Sequence, residues 1–166
     1  MFKEADEILE FSLSKIILEG PKDELDLTVN TQPAIFLISF SIFQVIKENF
    51  NINLSEAKYF AGHSLGEYSA LSCAGYLNFA ETLKILRVRG DAMQNSVPKG
   101  EGAMAALISS DFSQLDKIIE EVKKIGVCEI ANHNSSEQIV ISGHTKAVQE
   151  LVKNSDKFAI KRAVLL

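Results

Sequence analysis

The chain has 166 residues, 46% hydrophobic and 23% charged, the balance of a soluble globular protein with one sizeable core or a core plus a small subdomain. Its net charge of −5 excludes nucleic acid as a main partner, because phosphate binding needs a surplus of Lys and Arg. The basic pairs Lys123–Lys124 and Lys161–Arg162 read as solvated surface.

In chain order, residues 3–19 carry Ala5, Ile8, Leu9, Ile16 and Ile17 at helical spacing behind MFKEADEILE, an acidic amphipathic start unlike a signal peptide. Gly20-Pro21 breaks that helix. After the polar stretch 22–30, Thr31 predicts a cap with Pro33 in the first turn of a helix running to about Glu48. Its run Ala34–Ile46 is too short to span a bilayer and is apolar nearly all round, as in a central buried helix. A short strand over 58–62 leads to Ser64, and a helix follows to Gly75. Asn78 with Glu81 forms a capping box for a helix ending near Ser96, and Pro98-Lys99-Gly100-Glu101-Gly102 is the best domain boundary.

Beyond the boundary the pattern reads strand 102–108, a helical stripe from Phe112 to Val122 ending at Gly126, then strands 127–131 and 138–141 joined by the turn-rich run Asn132–Ser136. A helix from Thr145 to about Asn154 and a strand over 158–165 complete β-α-β-β-α-β, a ferredoxin-like order. Cys73 and Cys128 match no metal or redox spacing and read as reduced core thiols of a cytoplasmic protein, with no metal site.

The stretch AGHSLGEYSA sets Ser64 between Gly62 and Gly66. Gly-x-Ser-x-Gly between a strand and a helix is a nucleophile elbow: the turn is so tight that side chains two positions either side would clash, and glycine removes the clash. The helix start offers free N–H groups to a developing oxyanion, with Leu65 the natural donor. His63 is rejected as the base, since adjacent side chains at an elbow diverge and a base needs hydrogen-bond reach to the hydroxyl. His144 reads as a helix-start residue, and the role of His133, in a turn, stays open.

Gly-His-Ser-Leu-Gly-Glu-Tyr-Ser-Ala resembles the active-site segment of malonyl-CoA:acyl carrier protein transacylases and of acyltransferase domains in fatty-acid and polyketide synthases. So do Thr31-Gln32-Pro33-Ala34, the run Arg87–Gln94, Gly102-Ala103-Met104-Ala105-Ala106, Asn132-His133-Asn134-Ser135 and Ile141-Ser142-Gly143-His144, in family order along nearly the whole chain. The resemblance implies an α/β fold: a partial α/β-hydrolase-like core over 1–98 and a ferredoxin-like subdomain over 102–166. It implies malonyl transfer from malonyl-CoA to the phosphopantetheine thiol of acyl carrier protein in fatty-acid biosynthesis, with both as substrates and no cofactor, nucleic acid or membrane involved. Ser64 becomes the nucleophile, Leu65 an oxyanion N–H donor, and Arg89 the partner of the malonyl carboxylate, a role suited to a planar, permanently charged fork. Gln32 and Asn132 become polar groups near the pocket.

The family pattern also has an opening strand and a Gly-Gln-Gly-type loop with a second oxyanion donor, and a later catalytic histidine. None of these is found among the 166 residues, which read as a piece of a longer protein or the product of a truncated gene. Two other readings use the same residues: a serine esterase or thioesterase on this elbow, and an inactive fragment serving as an interaction module. Arg89 and the β-α-β-β-α-β unit count against the first. Methylmalonyl is the competing acyl group.

Overall fold

The structure, a computed structural model, describes residues 1–50, 52–98 and 100–166. The chain divides into two units, Met1–Ser96 and Val97–Leu166, each with its own core. The division falls just ahead of the Pro98–Gly102 boundary, of which Lys99 lies outside the described residues.

In the first unit, the single helix expected over 3–19 is two, α1 (Phe2–Leu9) and α2 (Leu13–Glu19). Glu10 takes a left-handed conformation, φ 59°, which no right-handed helix continues through. The stretch 22–30, read as a polar stretch ahead of the helix, forms α3 (Lys22–Asp26) and the start of α4 (Thr28–Asn49). Thr31 is therefore not the cap. Its Oγ1 instead donates to the Leu25 carbonyl at 2.6 Å. Pro33 lies inside the helix rather than in its first turn, so the Val29 carbonyl loses the N–H that residue 33 would have supplied. Arg87 Nη1 takes its place at 3.1 Å.

At 22 residues α4 is long and apolar enough to cross a membrane, unlike the shorter run read from the sequence. Its packing is that of a core helix on one side only. Ala34, Phe36, Leu37 and Phe40 join Ala5, Leu13, Leu83 and Leu86 in the core, whereas Ile35, Ile38, Ile42 and Val45 are exposed. The other wall is α6 (Phe79–Gln94), which begins as the sequence predicts: the Asn78 side chain accepts from the Glu81 N–H at 2.8 Å. At Gly90 the backbone of α6 packs tightly against α4. A Cβ there would lie 2.7 Å from Val29 Cα and 2.8 Å from the Thr28 carbonyl oxygen.

The second unit runs β1 (Gly102–Ile108), α7 (Leu115–Val122), β2 (Cys128–Ser135), β3 (Gln138–His144), α8 (Thr145–Asn154) and β4 (Arg162–Leu165). These strands form one antiparallel sheet in the order β2-β3-β1-β4. Alternate residues of β1 (Ala103, Ala105, Leu107) share a core with Ile118 and Val122 of α7 and Val148 and Leu151 of α8.

Two expectations change here. The run 132–136 is not a loop: β2 continues through it to Ser135, with register shifts at Ile130/Asn132 and His133/Ser135 absorbing its irregular sequence. The last strand starts only at Arg162, because residues 155–158 make a 3-10 turn and Ala159 is left-handed at φ 58°. Beyond β4, the Leu166 N–H donates to the Met104 carbonyl at 3.0 Å.

Candidate active site

The segment 58–62, expected as a strand, pairs with no strand among the described residues, and Tyr59 is 89% exposed. An apolar run becomes a strand only beside another strand, and among the described residues none pairs with this one. The chain then turns at Ser64, a non-glycine residue at φ 55°. Non-glycine residues at positive φ are uncommon, and such backbone strain concentrates at functional sites. The turn is closed by Gly66 N–H to the His63 carbonyl at 2.9 Å and by Glu67 N–H to the Ser64 carbonyl at 3.2 Å. The helix that follows, α5 (Gly66–Cys73), begins two residues later than the sequence suggests. Between the turn and α5, the Leu65 N–H has no hydrogen-bond acceptor among the described residues.

The two flanking glycines are not equivalent. A Cβ on Gly62 would stand 1.9 Å from the Gly66 carbonyl oxygen, so the turn exists only because residue 62 has no side chain. A Cβ on Gly66 would meet nothing within 4 Å among the described residues. The expected clash is real at Gly62 and absent at Gly66, which lies past the tightest point of the turn.

Arg89, from the middle of α6, reaches across to this turn. Its Nη2 donates to Ser64 Oγ at 3.3 Å and its Nη1 donates to Gln32 Oε1. Gln32, 4% exposed, is fixed from its other side, where Nε2 donates to the Met93 sulfur at 3.3 Å. The Tyr68 ring lies 5.9 Å from the Arg89 guanidinium. No carboxylate among the described residues pairs with Arg89. A half-buried guanidinium next to a serine hydroxyl, with no counter-charge, is a place prepared for an anion.

Beside Ser64 opens a cleft of about 520 Å³, walled by Ile35, Ser39 and Phe43 of α4 and by Leu65 and Ser69 near the start of α5. Ser69 Oγ is buried with no hydrogen-bond partner among the described residues. Cys73 also borders the cleft; burial pushes its thiol above the usual range, so it competes poorly as a nucleophile.

The structure thus gathers Ser64, Leu65, Gly62, Gly66, Gln32 and Arg89 within the first unit. His63 is exposed and borders the same cleft. Asn132 lies exposed on β2 of the second unit, opposite Val140, with His133 opposite Ile139. His144 precedes α8, as read, and its Nδ1 accepts from the Val127 N–H at 3.3 Å. Sequence reasoning missed Tyr68, Met93 and Arg87. Tyr68, one helical turn beyond Ser64, had a usable spacing signal.

An α/β chain with this turn and this arginine falls in a known family. It belongs to the acyl transferase domain family, whose pattern it matches over residues 3–164. It is 42% identical over its whole length to the malonyl CoA-acyl carrier protein transacylase of Bacillus subtilis, and 39% identical over 99% of its length to that of Escherichia coli. The chain spans about half the length of these relatives, 51% and 52%. Among solved structures, acyl-carrier-protein-S-malonyltransferase from Bartonella henselae superposes with a TM-score of 0.91 at 48% identity, covering 99% of this chain and 52% of that one. A malonyl-transacylase in complex with a type II PKS acyl-carrier protein gives 0.90 at 37% identity, covering 99% and 52%.

Proposed function

We propose that the protein carrying these residues transfers a malonyl group from malonyl-CoA to the phosphopantetheine thiol of an acyl carrier protein. The observation that carries the reading is Arg89, a cation with no carboxylate partner among the described residues, donating to Ser64 Oγ. In malonyl-serine the free carboxylate is three bonds from Oγ, so the group that binds it has to sit beside the nucleophile. Arg89 does.

In the first half-reaction Ser64 Oγ attacks the thioester carbonyl. The new C–O bond forms first, giving a tetrahedral oxyanion that the Leu65 N–H holds; the C–S bond then breaks as the carbonyl re-forms, and the coenzyme A thiol leaves with the serine's proton. In the second, the carrier's thiol attacks the malonyl-serine ester and restores the hydroxyl. The family resemblance assigns the proton transfers to a histidine outside these residues. We read 1–98 as part of an α/β-hydrolase-like core and 102–166 as a ferredoxin-like subdomain. The antiparallel order β2-β3-β1-β4 supports the latter. The family relatives and the solved carrier-protein complex support the substrates.

The test uses the gene's full product with radiolabelled malonyl-CoA and acetyl-CoA. Ser64→Ala removes the covalent label. Arg89→Met lowers malonyl transfer by about 30-fold or more relative to acetyl transfer, the lower end of what truncating one partner of a hydrogen-bonded charge pair costs. Equal losses for the two acyl groups would take Arg89 out of carboxylate binding.

A further inference from the structure

Arg87 sits on α6 two residues before Arg89, yet it serves a different object. Its Nη1 donates to the Val29 carbonyl at 3.1 Å and to Asn30 Oδ1, both in the first turn of α4. The Phe11 ring backs the guanidinium at 4.5 Å. Asn30, 4% exposed, passes the tie on by donating from Nδ2 to the Glu24 carbonyl at 2.7 Å.

The Val29 carbonyl is the acceptor that Pro33 deprives of an intrahelical donor. A half-buried carbonyl left that way costs free energy and loosens the turn around it. That turn leads directly into Gln32, whose Oε1 holds Arg89. From these contacts we infer that Arg87 is a positioning residue for acyl selection. By replacing the donor that Pro33 lacks, it fixes the first turns of α4 and so sets Gln32, and through Gln32 the carboxylate-binding face of Arg89. The inference rests on the malonyl-transfer reading above.

The experiment measures kcat/KM for malonyl-CoA and acetyl-CoA in the gene's full product. The variants are Arg87→Met, which keeps the unbranched stem without the donors, Pro33→Ala, which returns an N–H to residue 33, and the double variant. Arg87→Met loses both bonds and should lower the malonyl-to-acetyl ratio about tenfold, the low end of what a hydrogen bond from a charged group, here that to the Val29 carbonyl, contributes, seen mainly in KM for malonyl-CoA. Adding Pro33→Ala should restore most of that ratio, because the Val29 carbonyl regains an internal donor. A merely structural arginine would lower both substrates together and leave the ratio alone, and that result overturns the inference. So does a lowered ratio that Pro33→Ala does not repair, since the effect would then not pass through the Val29 carbonyl. If Arg87→Met does not fold, Arg87→Gln, whose shorter stem stops short of the Val29 carbonyl, is read the same way: a fall in the ratio supports positioning, and an unchanged ratio ends it. Failure of the underlying reading would look different, because the unsubstituted protein would then show no preference for malonyl.

Discussion

Gly62→Ala gives the sharpest test of the Ser64 turn, because the two glycines around Ser64 predict opposite outcomes. An alanine Cβ at 62 would stand 1.9 Å from the Gly66 carbonyl oxygen, 2.0 Å from its carbon and 2.7 Å from the Glu67 nitrogen. All three are backbone atoms, so no side chain can swing aside. Contact at about 3.5 Å requires the two limbs of the turn to part by roughly 1.5 Å. Overpacking of this kind costs about 3 kcal/mol, at the upper end of the usual range because backbone meets backbone. It also carries Ser64 away from Arg89, and a displacement on the order of 1 Å lowers turnover about 100-fold. At Gly66 nothing among the described residues would lie within 4 Å of a Cβ and the residue is helical, so Gly66→Ala should be neutral or stabilise by up to about 1 kcal/mol. Urea denaturation of the gene's full product, beside covalent labelling by radiolabelled malonyl-CoA, reads both effects. The reasoning fails if Gly66→Ala loses as much as Gly62→Ala, or if Gly62→Ala keeps both stability and labelling.

Gly90→Ala forces a Cβ to within 2.7 Å of Val29 Cα and should destabilise by about 2 kcal/mol in the same denaturation assay; a neutral result would mean that α4 and α6 can separate freely at this point. Asp111 accepts from the Ser113 backbone N–H at 2.8 Å, and this bond holds its carboxyl below the usual range. Its contribution is therefore present above the ordinary carboxylate pKa and lost as pH falls through the lowered folded value, so Asp111→Ala should destabilise at neutral pH and make no difference in strong acid. Equal destabilisation at both ends of a pH series of melts would count against it.

Where the sequence speaks through local chemistry, it is read to the residue. The limits of β1 and α8 are those expected, and Asn78 caps α6 as its spacing with Glu81 requires. Errors arise where a distant group decides. Pro33 reads as a first-turn proline because an interior proline is normally prohibitive, yet Arg87, 58 residues from Val29 in sequence, makes the interior site tolerable. Glu10 carries no signal for a left-handed residue, so one helix was expected where two form. Residues 58–62 have strand composition, but composition does not provide a neighbouring strand. Ser64 was legible because its glycines announce a turn. Its contact with Arg89 spans 25 residues and that of Arg89 with Gln32 spans 57, and family likeness rather than spacing pointed to both.

The pairing of β1 with β4 has a consequence for how such a unit can travel between proteins. Because Ala105 lies opposite Leu165 and the Leu166 N–H bonds the Met104 carbonyl, residues 104 and 166 stand on neighbouring strands, one strand spacing apart. Among the described residues, the unit's buried core lies between 105 and 160, with Ala103 and Ala163 packed against it. A segment with neighbouring ends and its own core behaves as a cassette. It can be spliced into a surface loop of a host without spreading that loop, and the closure entropy it adds grows only with the logarithm of its length. Grafting residues 101–166 into an unrelated host loop should therefore leave the host's melting temperature nearly unchanged.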